Sequence, residues 1–326
     1  MGLRGGIDLG GTKIQAIAAD DDGEVRGQSR HPTPTDGGPG EIAATMATAM
    51  REAAEAAGAE PQELEGVGVG SPGKVDAEAG TVTGARNLSG WEGAFELRAA
   101  LEERLGTPVA LGNDVQAGTL AEYELGAGAS YRDMLGVFWG TGVGGGIVLD
   151  GHIWRGRGAA GEIGHTVIKR GGARCGCGRR GCMEAYAGRG QMEAEARERV
   201  HHGAKTRLFD LMHERGRTRL TSGVWRRALK DDDELAHELV DRAVAALGAG
   251  IASAINLLDL EAVVIGGGLG DKLGEPYVER IREAMQPHLF RDEQPPAVHL
   301  AALGDLGGAL GGTLLARNAA AAARGG

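Results

Sequence analysis

Three cysteines share one short loop and offer the most specific chemistry in the sequence. Cys175, Cys177 and Cys182 lie within eight residues, and a glycine follows each of the first two. An odd number of clustered thiols suits a metal site better than a set of disulfides. Zinc binds four ligands in a tetrahedron, and the nearest imidazole is that of His165, with His152 further back. Three thiolates and one imidazole leave no open position on the metal, so the spacing predicts a structural zinc ion.

Two glutamates lie beside this loop and indicate a second kind of site. Glu162 precedes His165 by three residues, and Glu184 follows Cys182 by two. A metal on one nitrogen of an imidazole leaves the other nitrogen available to a ligand. His165 is therefore predicted to connect the zinc loop to a polar ligand that both glutamates contact. Either glutamate taken alone is more typical of a solvated surface charge.

Turns that combine glycine with threonine occur near the start of each half of the chain. The first is Asp8-Leu9-Gly10-Gly11-Thr12-Lys13, and the second is Gly140-Thr141-Gly142. Backbone N–H groups in such turns point toward an anion, and threonine adds a hydroxyl donor. One such turn alone is more typical of a plain glycine hairpin, but the pair favours a phosphate site. Neither turn has the residue order of a Walker loop or the strand, turn and helix of a nicotinamide site.

Asn113 and Asp114 stand where a predicted strand ends and a predicted helix begins. A side chain at that position can project from the end of a sheet into a crevice. It can also cap the helix that starts at Val115, which is a common role for an aspartate. Taken alone, the local sequence favours this capping role for Asp114.

The elements that must position these residues alternate between strands and helices in two similar halves. Each half has a strand hairpin with a glycine turn, then helices and a later strand, which predicts an α/β protein with a cleft between two domains. Strands are predicted at residues 3–7, 14–19, 24 onward, 64–70, 109–111, 134–139, 147–149, 262–265 and 299–301, and helices at 41–58, 95–105, 115–125, 191–215, 233–258 and 304–323.

Composition narrows the class of protein further. The chain has 326 residues, of which 59 are glycine, and its net charge of −10 argues against a nucleic-acid-binding surface. Glycine and proline together stay below the level of disordered chains, and no Gly-X-Y repeat indicates collagen. No apolar run approaches the length of a membrane span, and the first residues lack a signal peptide core. These features predict a cytoplasmic protein without membrane or nucleic-acid partners.

The motifs together resemble those of a known family. The segment from Asp8 to Lys13 resembles the first phosphate motif of the sugar kinase, hsp70 and actin ATPase superfamily. Glu162-Ile163-Gly164-His165, followed by Cys-Gly-Cys-Gly-Arg-Arg-Gly-Cys-Met-Glu at 175–184, resembles the signature of the ROK family of repressors, open reading frames and sugar kinases. The resemblance covers about residues 3–317 and is greatest to the bacterial glucokinases of that family.

The resemblance implies a two-domain, actin-like ATPase fold of the ribonuclease H-like type. A small α/β domain would contain residues 1–115 and about 304–326, and a large α/β domain would contain residues 116–303 with the zinc-binding loop 165–184. The implied reaction is the ATP-dependent phosphorylation of the primary hydroxyl of a hexose, glucose giving glucose 6-phosphate. Magnesium would accompany the nucleotide, and the chain would form a homodimer or a homotetramer.

The resemblance also assigns roles to individual residues. Asp114 would be the catalytic base that accepts the proton of the attacking hydroxyl, and Asp8 would hold magnesium through water. The sugar would be bound by Gly70, Ser71, Asn87, Asn113, Asp114, Glu162, His165 and Glu184. The nucleotide would be bound by Asp8, Gly10, Gly11, Thr12, Lys13, Thr141, Gly142, Gly266, Gly267 and Gly268, and zinc by His165, Cys175, Cys177 and Cys182.

Two alternatives to glucose phosphorylation remain at the level of sequence. The first is the same reaction on N-acetylmannosamine, N-acetylglucosamine, fructose or mannose, with polyphosphate as another possible donor. The second is a sugar-sensing ROK transcriptional regulator. Such regulators carry a helix-turn-helix domain before the first phosphate motif, and Asp8 lies too near the start of this sequence for that domain.

Overall fold

The computed structural model describes residues 2–85 and 88–325, and the chain forms two compact units. The first unit contains residues 1–129, 155–158 and 305–326, and the second contains residues 130–154 and 159–304. Residues 116–129, which the sequence division placed in the large domain, thus belong to the first unit.

Both units combine β-strands with α-helices. In chain order, the strands are β1 (Arg4–Leu9), β2 (Lys13–Ala19), β3 (Val25–Pro32), β4 (Val67–Ser71), β5 (Lys74–Asp76), β6 (Thr81–Thr83), β7 (Ala94–Phe95), β8 (Val109–Asn113), β9 (Met134–Trp139), β10 (Val143–Leu149), β11 (His152–Ile153), β12 (Ala262–Gly266) and β13 (Ala297–Leu300). The α-helices are α1 (Gly38–Ala56), α2 (Leu97–Leu105), α3 (Asp114–Leu125), α4 (Glu184–Ala187), α5 (Arg189–His201), α6 (Leu208–Glu214), α7 (Ser222–Lys230), α8 (Glu234–Leu258), α9 (Gly267–Leu273), α10 (Glu275–Met285) and α11 (Gly307–Gly325).

The first unit is built on a five-stranded sheet in the order β3-β2-β1-β4-β8. Neighbouring residues of a strand point to opposite faces. A Cβ at Gly5 would meet Met50 of α1, whereas a Cβ at Gly6 would meet the Ala309 carbonyl of α11. Helices α1 and α11 therefore cover opposite faces of the sheet. The missing side chains of Gly6 and Gly68 let α11 lie directly on the backbones of β1 and β4.

The second unit is built on another five-stranded sheet, in the order β11-β10-β9-β12-β13. Its core includes the fully buried Trp139 and Trp225 and one apolar face of the long helix α8. Asp233 caps α8 because its carboxylate accepts the N–H of Ala236 at 2.8 Å. The apolar face of α8 packs against α10 and α4, which fixes the start of α4 in space.

The two sheets have the same strand order and directions. In each, three antiparallel strands form one edge, and two further strands are added parallel to the first strand of the hairpin. The internal similarity that the sequence predicts is thus a repeated sheet topology. In a parallel arrangement the carboxyl ends of the strands meet at one edge, which is where such sheets bind ligands.

The structure corrects three of the predicted elements. The predicted helix 191–215 is two helices, α5 and α6, because α5 ends at His201 and Gly203 adopts a left-handed φ of +94°. The predicted strand 147–149 begins earlier, since β10 already starts at Val143. The third correction is a set of elements that the sequence analysis left out, including the small sheet β5-β6-β7, the strand β11 and the helices α4, α7, α9 and α10.

The glycines of β10 are explained by close packing against a neighbouring segment and not by a turn. A Cβ at Gly145 would lie 2.8 Å from Ile163 and 2.9 Å from the Gly161 carbonyl. The strand therefore lies against the segment that leads to His165, and only glycine allows that approach.

Within the described residues, none of the helices combines the length and the apolar character that a membrane span requires.

Candidate active site and metal centre

In the second unit, four side chains that suit a metal ion converge. The ligand atoms of His165, Cys175, Cys177 and Cys182 all lie within 4.8 Å of one another. The Sγ atoms of Cys177 and Cys182 are 3.7 Å apart, and Cys175 Sγ is 3.8 Å from His165 Nδ1. With Zn–S bonds of about 2.3 Å, ligand atoms at two corners of a tetrahedron lie about 3.8 Å apart. The four residues therefore fit zinc in both donor type and spacing.

The loop reaches this geometry through tight backbone turns. Cys175 N–H donates to the Arg179 carbonyl at 2.9 Å, and Gly178, with a φ of +91°, closes the turn between them. Gly181 also has a positive φ, and a Cβ there would lie 1.8 Å from the Lys169 carbonyl. Left-handed backbone of this kind favours glycine. The glycines between the cysteines are thus what brings the thiols together.

Burial also determines the protonation of the thiols in the absence of a metal ion. Burial raises the pKa of the Cys175 thiol to about 12. A thiol with that pKa is protonated at neutral pH unless a metal ion takes the place of the proton. The neighbouring Cys177 thiol has a lowered pKa, chiefly because the Arg179 backbone N–H donates to it. The loop therefore offers a mixed set of thiols that a divalent cation would bind as thiolates.

The two glutamates predicted beside the loop lie in different surroundings. Glu162 Oε2 is 3.9 Å from Nε2 of His165, the ring nitrogen that does not face the thiols. Glu184 is the first residue of α4, and its Oε2 accepts the Val143 N–H at 3.0 Å. Its Oε1 lies 3.6 Å from Cys175 Sγ. Glu184 therefore links the cysteine loop to the glycine turn at 140–142.

That turn is held by the start of α5. The N–H groups of Arg189 and Gly190 donate to the carbonyls of Gly140 and Thr141 at 3.1 Å and 2.9 Å. Glycines 266–268 lie beside it, because a Cβ at Gly140 would be 3.9 Å from Gly268 N. Gly267 has a φ of +86° and opens α9 against the backbone of Trp139. The predicted nucleotide residues of the second unit are therefore neighbours.

In the first unit, the strand register brings the other predicted residues to one sheet edge. Asp8 pairs with Gly70, Gly70 pairs with Gly112, and Ser71 pairs with Asn113. Asp8, Gly70 and Asp114 thus meet at the carboxyl ends of β1, β4 and β8. A Cβ at Gly70 would lie 3.2 Å from the Asp114 Cα.

The helix cap at this edge is Asn113 rather than Asp114. The Asn113 side-chain oxygen accepts the N–H groups of Val115 and Gln116, each at 3.1 Å. Asp114 is the first residue of α3, and its Oδ1 accepts from Asn113 Nδ2 and Val115 N, each at 3.0 Å. Asn113 therefore both caps the helix and orients the Asp114 carboxylate.

Two further residues are predicted on the sugar side. Ser71 is fully buried, and its hydroxyl donates to the Pro72 carbonyl, whereas Asn87 lies outside the described residues.

The first phosphate turn is a compact hairpin next to Asp8. Gly10 N–H donates to the Lys13 carbonyl at 2.9 Å, and the Thr33 hydroxyl donates to the Gly10 carbonyl at 2.7 Å. Lys13 Nζ is 2.9 Å from Asp305 Oδ1. Lys13 therefore pairs with Asp305, and its positive charge also acts on the nearby Asp8 carboxyl group.

The Asp8 carboxyl group is enclosed although its residue keeps some contact with solvent. A Cβ at Gly308, in the first turn of α11, would lie 2.7 Å from Asp8 Cγ. Loss of solvation and the nearby Asp114 carboxylate raise the pKa of Asp8 to about 7, against the lowering effect of Lys13. Two acids held close together in this way favour a bound cation, since the cation offsets their repulsion.

We expect Asp8 to make the stability of the cation-free protein depend on pH. Its pKa rises from 3.8 unfolded to about 7 folded, so the folded state binds more protons between those values. The contribution of Asp8 to stability is therefore complete below the unfolded pKa and is lost as pH rises to about 7, of which about 3 kcal/mol falls between pH 5 and pH 8. Urea unfolding of wild type and Asp8→Asn in magnesium-free buffer, at about pH 5 and about pH 8, measures this. The variant should gain stability relative to wild type at the higher pH, and parallel pH profiles would contradict the assignment.

Sequence reasoning missed three residues that the structure adds to these surroundings. Asp305 binds Lys13, Gly308 makes room for Asp8, and Arg189 donates to the Thr141 hydroxyl at 2.8 Å. None of the three carries a local motif, and all lie far along the chain from their partners. Only the placement of Arg189 between two glycines at the start of a helix offered a signal.

Glycine turns on two similarly built α/β units, together with a cysteine and histidine cluster, are the features by which the chain resembles the ROK family. The model of the ROK family matches residues 4–319, and the chain belongs to that family. It is 34% identical to a glucokinase of Halalkalibacterium halodurans over 96% of this chain and 94% of the relative. It is also 32% identical to an N-acetylmannosamine kinase of Yersinia pestis over 95% of this chain and 98% of the relative.

A solved structure agrees with this placement. The ROK family glucokinase from Streptomyces griseus, in complex with glucose and AMPPNP, is 33% identical to this chain with a TM-score of 0.83. The similarity covers 97% of this chain and 100% of the solved one. The predicted family and the predicted α/β, two-domain actin-like ATPase fold are thereby confirmed.

Proposed function

We propose that this chain catalyses the ATP-dependent phosphorylation of glucose to glucose 6-phosphate. The observation that carries the proposal is the full-length similarity to a glucokinase whose structure holds glucose and a nucleotide analogue. The convergence of Asp8, Gly70 and Asp114 at one sheet edge supports it, since phosphoryl transfer depends on positioned acids and phosphate-binding turns.

In this proposal Asp114 is the general base. It accepts the proton of the glucose 6-hydroxyl as the oxygen attacks the γ-phosphorus, the bond to the bridging β–γ oxygen breaks, and ADP leaves. Asn113 holds the Asp114 carboxylate through its Nδ2 hydrogen bond. A positioned general base accelerates such a reaction by about 10²–10⁴-fold.

The phosphate groups are assigned to the two glycine turns. Thr12 and Thr141 donate hydroxyl hydrogen bonds, and the backbone N–H groups of Gly11 and Gly142 supply further donors. Gly10 shapes the first turn, since its own N–H donates to the Lys13 carbonyl. Magnesium, when bound with ATP, offsets the charge that develops on the transferred phosphoryl group, and Asp8 would hold it. Glycines 266–268 would admit the adenosine, since side chains there would obstruct it.

The sugar hydroxyls are assigned to Asn113, Glu162, His165 and Glu184, with Gly70, Ser71 and Asn87 as further sugar-side residues. Zinc, when bound by His165, Cys175, Cys177 and Cys182, would hold the loop that carries His165 and precedes Glu184. Its role would be structural, because the four protein ligands complete its coordination.

Activity toward a panel of sugars tests the proposal directly. Purified protein is assayed with glucose, mannose, fructose, N-acetylglucosamine and N-acetylmannosamine, with ATP or polyphosphate as donor. The proposal expects the highest kcat/KM for glucose with ATP. A higher value for N-acetylmannosamine would instead support the second candidate, which the Yersinia pestis relative favours. No turnover of any hexose would overturn the proposed function.

Glu184→Gln is expected to weaken discrimination among hexoses. A carboxylate left without its hydroxyl partner costs about 1–3 kcal/mol, so wild type should reject deoxy and epimeric analogues of glucose by about tenfold or more in kcat/KM. An amide both donates and accepts, so it tolerates more hydroxyl arrangements and should narrow these ratios. The exposed Glu198→Gln serves as the matched control. Unchanged ratios in Glu184→Gln would remove Glu184 from the sugar site.

The proposal extends to assembly and location. Family resemblance favours a homodimer or a homotetramer, which light scattering coupled to size-exclusion chromatography measures. The use of ATP as donor favours a cytoplasmic location.

A further inference from the structure

Every oxygen of the second phosphate turn already accepts a hydrogen bond from the protein. The carbonyls of Gly140 and Thr141 accept from the first two amides of α5, and the Gly142 carbonyl accepts from Gly140 N–H at 3.0 Å. The Thr141 hydroxyl oxygen accepts from Arg189 Nη2 at 2.8 Å. With its acceptors occupied, the turn presents hydrogen-bond donors to a ligand, which is what an anion requires.

Arg189 decides the behaviour of the Thr141 hydroxyl in particular. A hydroxyl has one proton and can also accept, whereas a guanidinium can only donate. Because Arg189 donates to Thr141 Oγ1, the threonine proton is directed toward a different acceptor. Thr141 is exposed, so that acceptor can be an oxygen of a bound ligand.

The Arg189 side chain is itself fixed in place. Its Nη1 donates to the Leu220 carbonyl at 2.5 Å, and its Nε is buried with no hydrogen-bond partner among the described residues. The Leu220 carbonyl and the Thr141 hydroxyl are neutral, so these two contacts do not offset the positive charge of the guanidinium. The charge therefore remains directed at the turn.

A second guanidinium lies next to the first. A Cβ at Gly190 would lie 3.4 Å from the Thr141 carbonyl and 3.8 Å from Arg219 Nη2. Arg219 is held by Glu193, whose Oε2 accepts from Arg219 Nε and from Leu220 N–H, each at 3.0 Å. Glu193 is 3% exposed, so this anchor is part of the core. Loss of solvation, with Arg219 as a further cause, lowers the pKa of Arg189, as expected for two neighbouring cations.

We propose that Arg189 is a positioning residue for the outer phosphates of the nucleotide, acting by holding the Thr141 hydroxyl as a donor, with Arg219 adding positive charge beside it. The inference rests on the proposed function in taking a nucleoside triphosphate as the ligand. On this inference, the residue that makes the turn specific for a polyanion lies in helix α5, outside the glycine motif itself.

The test measures nucleotide binding separately from catalysis. The affinity for AMPPNP with magnesium is determined by calorimetry, and KM for ATP, KM for glucose and kcat are determined by coupled assay. Arg189→Met should weaken AMPPNP binding and raise KM for ATP by about tenfold or more, because hydrogen bonds that involve charged groups are the strong ones. KM for glucose should stay within about twofold, which loss of overall structure would not produce.

Two further variants keep the test decisive. Arg189→Lys retains the charge but loses the planar fork, so it should recover only part of the affinity, and it replaces Arg189→Met if that variant fails to fold. In a Thr141→Val background, Arg189→Met should have a much smaller effect, because its partner is already absent. Arg199→Met, on the same helix and paired with Glu238, is the control and should leave AMPPNP affinity unchanged.

The outcomes separate this inference from the proposed function. Equal AMPPNP affinity with and without the Arg189 side chain overturns the inference, whatever the sugar. Full additivity of the Arg189→Met and Thr141→Val effects overturns the action through Thr141. Wild type that binds AMPPNP in an Arg189-dependent way but phosphorylates no hexose overturns the proposed function and leaves the inference supported.

Discussion

Asp114→Asn is expected to lower kcat for glucose phosphorylation by about 10²–10⁴-fold, the range of a general base. The amide cannot accept the proton of the attacking hydroxyl. It can still accept the Val115 N–H through its own oxygen, as Asp114 Oδ1 does, so the start of α3 should stay folded. Glucose affinity, measured by calorimetry, should therefore change much less than kcat.

The matched control is Asp36→Asn, an exposed aspartate of the same unit, which should leave kcat unchanged. Both variants are compared with wild type by thermal unfolding to establish that they fold. If Asp114→Asn kept more than about a tenth of the wild-type kcat, the loss would be too small for a general base. Another residue would then have to accept the proton.

Loss of zinc is expected to have the second large effect. Elemental analysis of purified protein should find about one zinc per chain. Cys177→Ser removes one of four ligands and should release the ion. The cysteines would then no longer hold Glu184 in place, whose Oε1 faces Cys175. We expect the unfolding temperature to fall by about 10 °C and KM for glucose to rise by about tenfold or more.

His152→Gln is the control for this experiment, because the sequence left His152 as the other nearby imidazole. The structure places His152 in β11, with Nδ1 2.7 Å from the Asp150 carbonyl, and the cluster contains His165 instead. His152→Gln should therefore retain zinc. Active, unchelated protein without any metal would end the zinc proposal. A variant that lost zinc and kept its glucose affinity would show that the loop does not position the sugar residues.

The features that the sequence predicts well are those encoded within a few residues. The cysteine cluster is one example, because its glycines determine the turns that bring the thiols together. The position of Asp114 is another, because the sequence places it where a strand ends and a helix begins, and strands with a common direction end at a common edge. In both cases, local spacing and one rule of topology are sufficient to predict where the side chains lie.

The features that it predicts poorly depend on contacts between distant segments. Gly145 lies outside the predicted strand 147–149, yet it is a residue of β10, and the approach of Gly161 and Ile163 explains its missing side chain. For Glu184, which is predicted as a sugar ligand, no local pattern shows the further contacts of its carboxylate, which accepts from Val143 and faces Cys175. Arg189 is similar, because its partners, Thr141 and Leu220, are identified only when α5 is placed in three dimensions.

The position of α11 has a consequence for the order in which the protein is made. This helix covers β1 and β4 through the bare backbones of Gly6 and Gly68, and its Gly308 encloses Asp8, yet it follows the whole second unit in the chain. Domains generally fold on the ribosome as their residues emerge, beginning at the N-terminus. One face of the first unit's sheet therefore stays uncovered until α11, residues 307–325, has been synthesised. A chain interrupted within the second unit would lack α11, and with it the part of the wall around Asp8 that Gly308 forms.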